Sequence, residues 1–140
     1  ELRLATSTVG FGPGGTYSLA VFDRADHVRP GSGEILRKKA LQLVGSPNAI
    51  SPLPGHSPAA TVFLTKKADA LLYYCSAAPG LLKEVDGLVS VPLPDALEVH
   101  PRYGMAVLSD NPDALRFSLF VISDKGQEVL SHFGFLPLTE

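Results

Sequence analysis

The segment Gly10-Phe11-Gly12-Pro13-Gly14-Gly15, followed by Thr16, has residue types suited to holding an anion. Glycines ahead of a helix let backbone N–H groups approach a charged oxygen, the helix dipole adds to the attraction, and the Thr16 hydroxyl supplies a further donor. The same glycines match the G-x-G-x-x-G order of dinucleotide-binding folds, between a strand-like and a helix-like segment as that pattern requires. Against a dinucleotide, the preceding strand is polar at Thr6, Ser7 and Thr8. No second strand ends in an acid about 20 residues on, where the ribose contact belongs, and Glu34 falls inside a helix start. A plain glycine-rich turn is the simplest alternative.

Gly55-His56-Ser57-Pro58 opens another helix-like segment, so two helix N-termini could converge on one oxyanion. Pro58 has no N–H, which leaves the neighbouring amides and the Ser57 hydroxyl. With Ala59 the segment falls one residue short of the G-x-S-x-G nucleophile elbow, and Pro52 and Pro54 stand where that elbow needs a buried strand. His100 or His132 with Asp110 would be the remaining hydrolase partners, without supporting spacing. Ser57 reads better as a helix cap. His27, His56, His100 and His132 form no i, i+4 pair, so no metal site or other cofactor is expected. Tyr73-Tyr74 ends an apolar run, and in open α/β sheets ligands collect just beyond the carboxyl ends of strands. Side-chain alternation sends one tyrosine into the core and the other elsewhere, although core placement of both is an open alternative. Cys75, the single cysteine, excludes an internal disulfide and reads as a buried, inert thiol.

These residues need a scaffold. Leu2 to Thr6 alternate as a half-buried strand. Thr16 to about Val28 reads as a helix with Tyr17, Ala20, Val21 and Ala25 on one face, closed by Pro30-Gly31. Ser32 is placed to cap a second helix with the row Leu36, Ala40 and Leu43, ending at Gly45-Ser46-Pro47-Asn48. Ser57-Pro58 starts a third, to about Lys67. Asp69 to Cys75 predicts a strand buried on both faces, as in parallel sheets, and Leu88 to Leu93 and Tyr103 to Leu108 are further strand candidates. Asn111-Pro112 begins a helix through Ile122, Ser123 begins another with the row Val129, Leu130 and Phe133, and Gly134 supplies a left-handed stop with Phe135 folding back. Strands alternating with helices predict an α/β fold with a mostly parallel sheet.

The length of 140 residues suits one domain, and 45% apolar with 19% charged residues excludes disorder and an uninterrupted membrane span. A net charge of −2, with no Lys/Arg stripe between aromatics, argues against nucleic acid. The first residues, Glu1 with a strand-like LRLATS, show no basic-then-apolar leader.

Several segments together resemble the molybdate-type family of periplasmic solute-binding proteins. Tyr103-Gly104-Met105-Ala106-Val107-Leu108, Asn111-Pro112-Asp113-Ala114, Phe120 to Leu130 with its Phe-x-x-Ser-x-x-Gly-Gln core, and Gly134-Phe135 are similar to that family's closing strand and helices. Pro13-Gly14-Gly15-Thr16-Tyr17 is similar to its Pro-x-Gly-x-Tyr turn, and Ala68 to Ala78 to its tyrosine-bearing strand. The resemblance implies a type II periplasmic-binding-protein-like lobe, with residues 1–102 as the second-lobe core and 103–140 as return strand and C-terminal helices. It implies a small oxyanion held without countercharge, with contacts from Gly14, Gly15, Thr16, His56, Ser57 and Tyr74. It further implies a membrane permease of the ABC type as partner, a periplasmic location and no catalysis.

The family's N-terminal lobe, which supplies serine hydroxyls from the other side of the anion, has no counterpart in the sequence, and His56 stands where a plain helix-start residue is usual. A half-site of neutral hydrogen bonds worth about 0.5–1.5 kcal/mol each should bind weakly. In the family the last two helices pack on that N-terminal lobe. Leu115, Leu119, Val129, Leu130 and Phe133 therefore need another surface, and a homodimer through the C-terminal helices, with swapped tails, is expected. The alternative function is an oligomerisation or sensor module on the same fold that no longer binds ligand. An enzyme, nucleotide-dependent or acting through Ser57, ranks behind both.

Overall fold

The computed structural model describes residues 2–138, so a single domain spanning 1–140 extends past them at each end. Three strands form a parallel sheet in the order β2-β1-β3: β1 Leu4–Ser7, β2 Leu41–Val44 and β3 Ala70–Leu71. Ala5 pairs with Leu41 on one side and Leu71 on the other, which makes β1 the central strand. Ala5 and Thr6 are accordingly buried, and the register shifts between Thr6 and Ser7 as the strand leaves the sheet. Helices α1 (Pro13–Val28) and α3 (Pro58–Leu64) pack on it, with α2 (Ser32–Lys39) against α1 and α4 (Ala78–Glu84) against α3, while α5 (Pro112–Ile122) and α6 (Asp124–His132) pack on each other; a 3-10 turn lies at Asp95–Leu97. The expected α/β class with a parallel sheet and flanking helices is what the chain forms.

Local signals account for most helix starts. Pro13, Pro58 and Pro112 each occupy the first turn of a helix, where a missing N–H costs nothing. Ser57 accepts from the Ala60 N–H at 3.1 Å, Asn111 from Asp113 at 2.9 Å, and Ser123 from Gly126 at 3.2 Å. Ser32 does otherwise. Its hydroxyl donates to the carbonyls of Ala25 and Arg29, both at 2.7 Å, while Gly31 takes the cap position of α2. The Asp26 carboxylate instead accepts from the N–H groups of Gly31 and Gly33, which fastens α2 to α1.

The buried face of α1 is Gly15, Ser18, Val21, Phe22 and Ala25, rotated slightly from the expected Tyr17 and Ala20 row. Ser18 satisfies its buried hydroxyl by donating to the Gly14 carbonyl at 2.9 Å. Besides this face, two small clusters of buried residues contribute to the core. Ala59, Ala60, Leu81 and Val85 pack with Phe63 and Leu88, whereas Ala5, Val62 and Ala68 pack with Leu43, Val44 and Ile50. Leu71 touches both clusters, and α3 contributes to both.

Several expected elements are corrected. The row Leu36, Ala40, Leu43 is not one helix: α2 ends at Lys39, Ala40 turns extended, and Leu41–Val44 pairs with β1. Helix α3 stops at Leu64, three residues early, and Lys66 takes a positive φ of 54°. The long strand at 69–75 reduces to two residues, because the chain turns when the N–H of Ala77 bonds the carbonyl of Tyr74 at 3.0 Å. Cys75 is therefore exposed, not buried. Neither 88–93 nor 103–108 is a strand among the described residues, and Val89, Val91 and Leu108 face solvent. Gly134 does adopt the left-handed stop, at φ 78°, with the Phe135 N–H bonded to the Leu130 carbonyl.

Candidate functional site

In a parallel sheet the carboxyl ends of the strands meet the N-termini of the following helices, and here that edge is polar. Strand β1 delivers Ser7 and Thr8 to it. The Thr8 N–H and hydroxyl both donate to the Val44 carbonyl, at 2.7 and 3.1 Å, and the hydroxyl also reaches Ser46 Oγ at 3.3 Å. The Val9 N–H bonds the side chain of Gln42 at 3.0 Å. These bonds tie the exits of β1 and β2 together and aim the loop at 8–12 into the start of α1.

The start of α1 lies against that edge. A Cβ at Gly15 would stand 2.6 Å from the Thr8 carbonyl oxygen and the Val9 Cα, so only glycine allows the approach. A Cβ at Gly14 would stand 2.8 Å from Ser7 Oγ and 3.5 Å from the Tyr74 hydroxyl. The hydroxyls of Ser7 and Tyr74 thus lie close against the Gly14 backbone. No side chain caps α1: Gly12 precedes it without a side-chain hydrogen bond and no acid stands in its first turn. The amides of Gly14 and Gly15 are orphan donors of that turn, with the positive end of the helix dipole behind them. Thr16 itself is exposed.

Tyr74 is fixed by its neighbours. Its ring meets Tyr17 edge to face, with centroids 6.1 Å apart. Burial, then the neighbouring Tyr103 and Tyr17 hydroxyls, push its pKa above the ordinary tyrosine value, so the hydroxyl keeps its proton and remains a donor. The C-terminal segment closes over this side: Tyr103 stacks edge to face on Phe135 at 5.3 Å, and Gly134 lies so near the Cys75 carbonyl that a Cβ would stand 2.8 Å from its oxygen.

His56 and Ser57 lie in a different set of bonds. The Ser57 N–H donates to Glu84 Oε2 at 2.7 Å, its hydroxyl caps α3, and its carbonyl accepts from the Thr61 N–H and hydroxyl. His56 Nδ1 is 3.8 Å from the same Glu84 oxygen. The Ser57 amide holds the Glu84 carboxyl below its usual range, with a smaller contribution from His56. Tyr73 senses this group: burial first, then the Glu84 charge, raise its pKa. Beyond the end of β3, Tyr74 thus turns to the α1 side, against Tyr17, and Tyr73 to the side of Glu84. Of the six residues singled out in the sequence, Gly14, Gly15, Thr16 and Tyr74 gather at the first edge, while His56 and Ser57 are engaged by Glu84.

The other readings gain nothing. A second strand exists, but its exit is Val44-Gly45-Ser46, with no carboxylate for a ribose. Glu34 pairs with Lys38. The Ser57 hydroxyl is spent as a cap, while His132 bonds the Glu128 carbonyl and His100 lies 3.5 Å from Glu98. Among the described residues no group of three or more His, Cys, Asp or Glu is placed to hold a metal. Sequence reasoning missed Ser7 and Glu84 as members of these sets. Ser7 had a signal, since a polar end to a central strand is unusual, whereas Glu84 sits on a helix that the sequence did not announce.

A small parallel sheet flanked by helices, with a polar carboxyl edge, is consistent with a solute-binding-protein-like lobe. The sequence comparison agrees: the family of bacterial extracellular solute-binding proteins matches residues 1–136. The chain belongs to that family. It is 33% identical over 137 residues to an uncharacterized protein of Pasteurella multocida (strain Pm70), an alignment that covers 98% of this chain and 56% of the relative. The chain thus spans little more than half the length of that protein. No solved structure matches. The family is described as extracellular, and among the described residues no helix is long and apolar enough to cross a membrane.

Proposed function

We propose that this protein binds a small tetrahedral oxyanion of the molybdate or tungstate type, without catalysis, as the periplasmic solute-binding component of an ABC transporter whose membrane permease is its partner. The observation that carries the reading is the approach of the Tyr74 hydroxyl, 3.5 Å from the position of a Gly14 Cβ, to the uncapped start of α1. Orphan amides can only donate, and a protonated hydroxyl has a proton to donate, which suits an anion that carries no proton to give. Gly14, Gly15, Thr16 and Tyr74 form the primary contacts. His56 and Ser57 join them from α3 when the Glu84 carboxylate, which now accepts the Ser57 N–H, gives way to the solute.

The exposed apolar side chains of the tail support the second part of the reading, a homodimer. Leu115, Leu119, Val129 and Phe133 are each 42–59% exposed, and Leu130 is half-buried beside them. The same faces favour the alternative reading, an oligomerisation or sensor module without ligand.

Thermal unfolding with millimolar molybdate, tungstate, sulfate, phosphate or NAD separates the readings, because a ligand selective for the native state raises the midpoint. A rise with molybdate or tungstate is expected. A rise with NAD alone overturns the oxyanion reading, and no rise with any of them favours the ligand-free module.

A further inference from the structure

We propose that the Asp86-Gly87 turn is a site of covalent self-modification in the folded protein, where Asp86 converts through a cyclic imide to isoaspartate. The site is independent of the anion reading and lies on the other side of α4.

The reaction needs a side-chain carboxyl, the backbone nitrogen of the next residue free to reach it, and no Cβ on that residue to block the approach. Of the eight aspartates only Asp86 is followed by glycine. The fold separates it from the others as well. Asp23, Asp26, Asp113 and Asp124 stand in helices and Asp95 in the 3-10 turn. Asp69 is held by Arg3, and the amide after it, of Ala70, donates to the Arg3 carbonyl at 3.2 Å. The amide after Asp110, of Asn111, donates to Ser109 Oγ at 3.1 Å. Asp86 and Gly87, by contrast, are both exposed, just past the end of α4. Among the described residues the Asp86 carboxylate has no hydrogen bond or ion pair, and the Gly87 N–H has no acceptor. Gly87, at φ 76°, takes the left-handed position of a turn closed by the Leu88 N–H on the Val85 carbonyl at 3.4 Å, longer than an ordinary hydrogen bond. A Cβ at Gly87 would meet no atom within 4 Å, so the turn has open space in which to bring the Gly87 nitrogen onto Asp86 Cγ.

In the first step the Gly87 nitrogen gives up its proton and bonds to Asp86 Cγ, and one carboxyl oxygen leaves as water. Water then opens the imide. Attack at Cγ restores aspartate, whereas attack at the main-chain carbonyl leaves the chain running through Cβ and Cγ, with a free α-carboxylate. Composition and charge return to their starting values, and water is the sole co-reactant. The isomer lengthens the main chain by one methylene between Val85, which is buried, and Leu88, which packs on the same cluster. Modification therefore loosens the end of α4.

The test is prolonged incubation at neutral pH, followed by peptide mapping with mass spectrometry and labelling by a protein isoaspartate methyltransferase. Native wild type, wild type unfolded in urea and native Asp86→Glu are compared, since the longer glutamate side chain closes the imide far less readily. Isoaspartate is expected at position 86 of the native protein, at a rate within about tenfold of the unfolded chain. Asp86→Glu should gain no label there. Aged wild type should melt below fresh wild type, and aged Asp86→Glu should melt as when fresh. A native rate slower than that margin, or label at other aspartates with position 86 intact, overturns the site. An isomerised protein with an unchanged midpoint overturns the loosening of α4.

Discussion

Adjacent glycines in the first turn of α1 should respond to the same substitution in opposite ways. At Gly15 an added Cβ meets the Thr8 carbonyl and Val9 Cα at 2.6 Å, and neither atom has a rotamer to move into. Overpacking of this kind costs about 1–3 kcal/mol. For a chain of this size that is a fall of roughly 3–12 °C in the midpoint. At Gly14 the nearest atom is the Ser7 hydroxyl oxygen, at 2.8 Å, which a change of rotamer removes, and the Ser7 Cβ, at 3.1 Å, need give only a few tenths of an ångström. Replacing glycine in a helix returns roughly 0.5–1 kcal/mol, so Gly14→Ala should melt close to wild type. Its methyl group nevertheless stands 3.5 Å from the Tyr74 hydroxyl, and molybdate binding should weaken by at least tenfold, or about 1.4 kcal/mol. Circular dichroism melts and calorimetric titration measure the two effects separately. A Gly14→Ala protein that melts normally and binds molybdate as tightly as wild type would refute the placement of the anion at this edge. A Gly15→Ala protein as stable as wild type would refute the claim that close packing of α1 on the β1 exit builds it.

Four further outcomes can be checked. Val62 is fully buried between α3 and the sheet, and Val62→Ala should cost about 2 kcal/mol in urea unfolding with the slope unchanged. Glu84→Gln keeps an acceptor for the Ser57 N–H but removes the charge; since the Glu84 pKa is lowered in the fold, its stabilisation is present above the ordinary carboxylate range and lost as pH falls. Wild type should therefore melt above Glu84→Gln at pH 7, with the gap closing below about pH 4.3, and a constant gap would contradict the assignment. Asp69, held well below the usual range by its paired hydrogen bonds to Arg3, has the same sign, so Asp69→Asn should flatten the acid limb of the stability profile. Sedimentation at micromolar concentration should show a dimer that Leu119→Glu and Phe133→Glu dissociate; a monomeric wild type would end the dimer proposal.

What could be seen in the sequence were interactions completed within a few residues. The caps at Ser57, Asn111 and Ser123 and the stop at Gly134 each use one side chain or one φ angle and the next turn of backbone, so residue type and spacing suffice. The glycine segment ahead of α1 and the tyrosine pair were visible for the same reason, as was the α/β class from the alternation of patterns. Where a partner from elsewhere in the chain decided the outcome, sequence periodicity misled. Leu41–Val44 continues an apolar row of helical spacing, yet pairing with β1 makes it a strand. Ser32 has the chemistry of a cap, yet the carbonyls of α1 take its hydroxyl and Asp26 takes the cap's task. The cap at Ser57 was legible, whereas the carboxylate 27 positions later that holds its amide was not. Ser7 was visible only as a polar residue at the end of a strand, and folding alone brings the Gly14 backbone against it. Local hydrogen bonds are encoded by neighbours in sequence, whereas the filling of space and the pairing of strands depend on segments that meet only when the chain has folded.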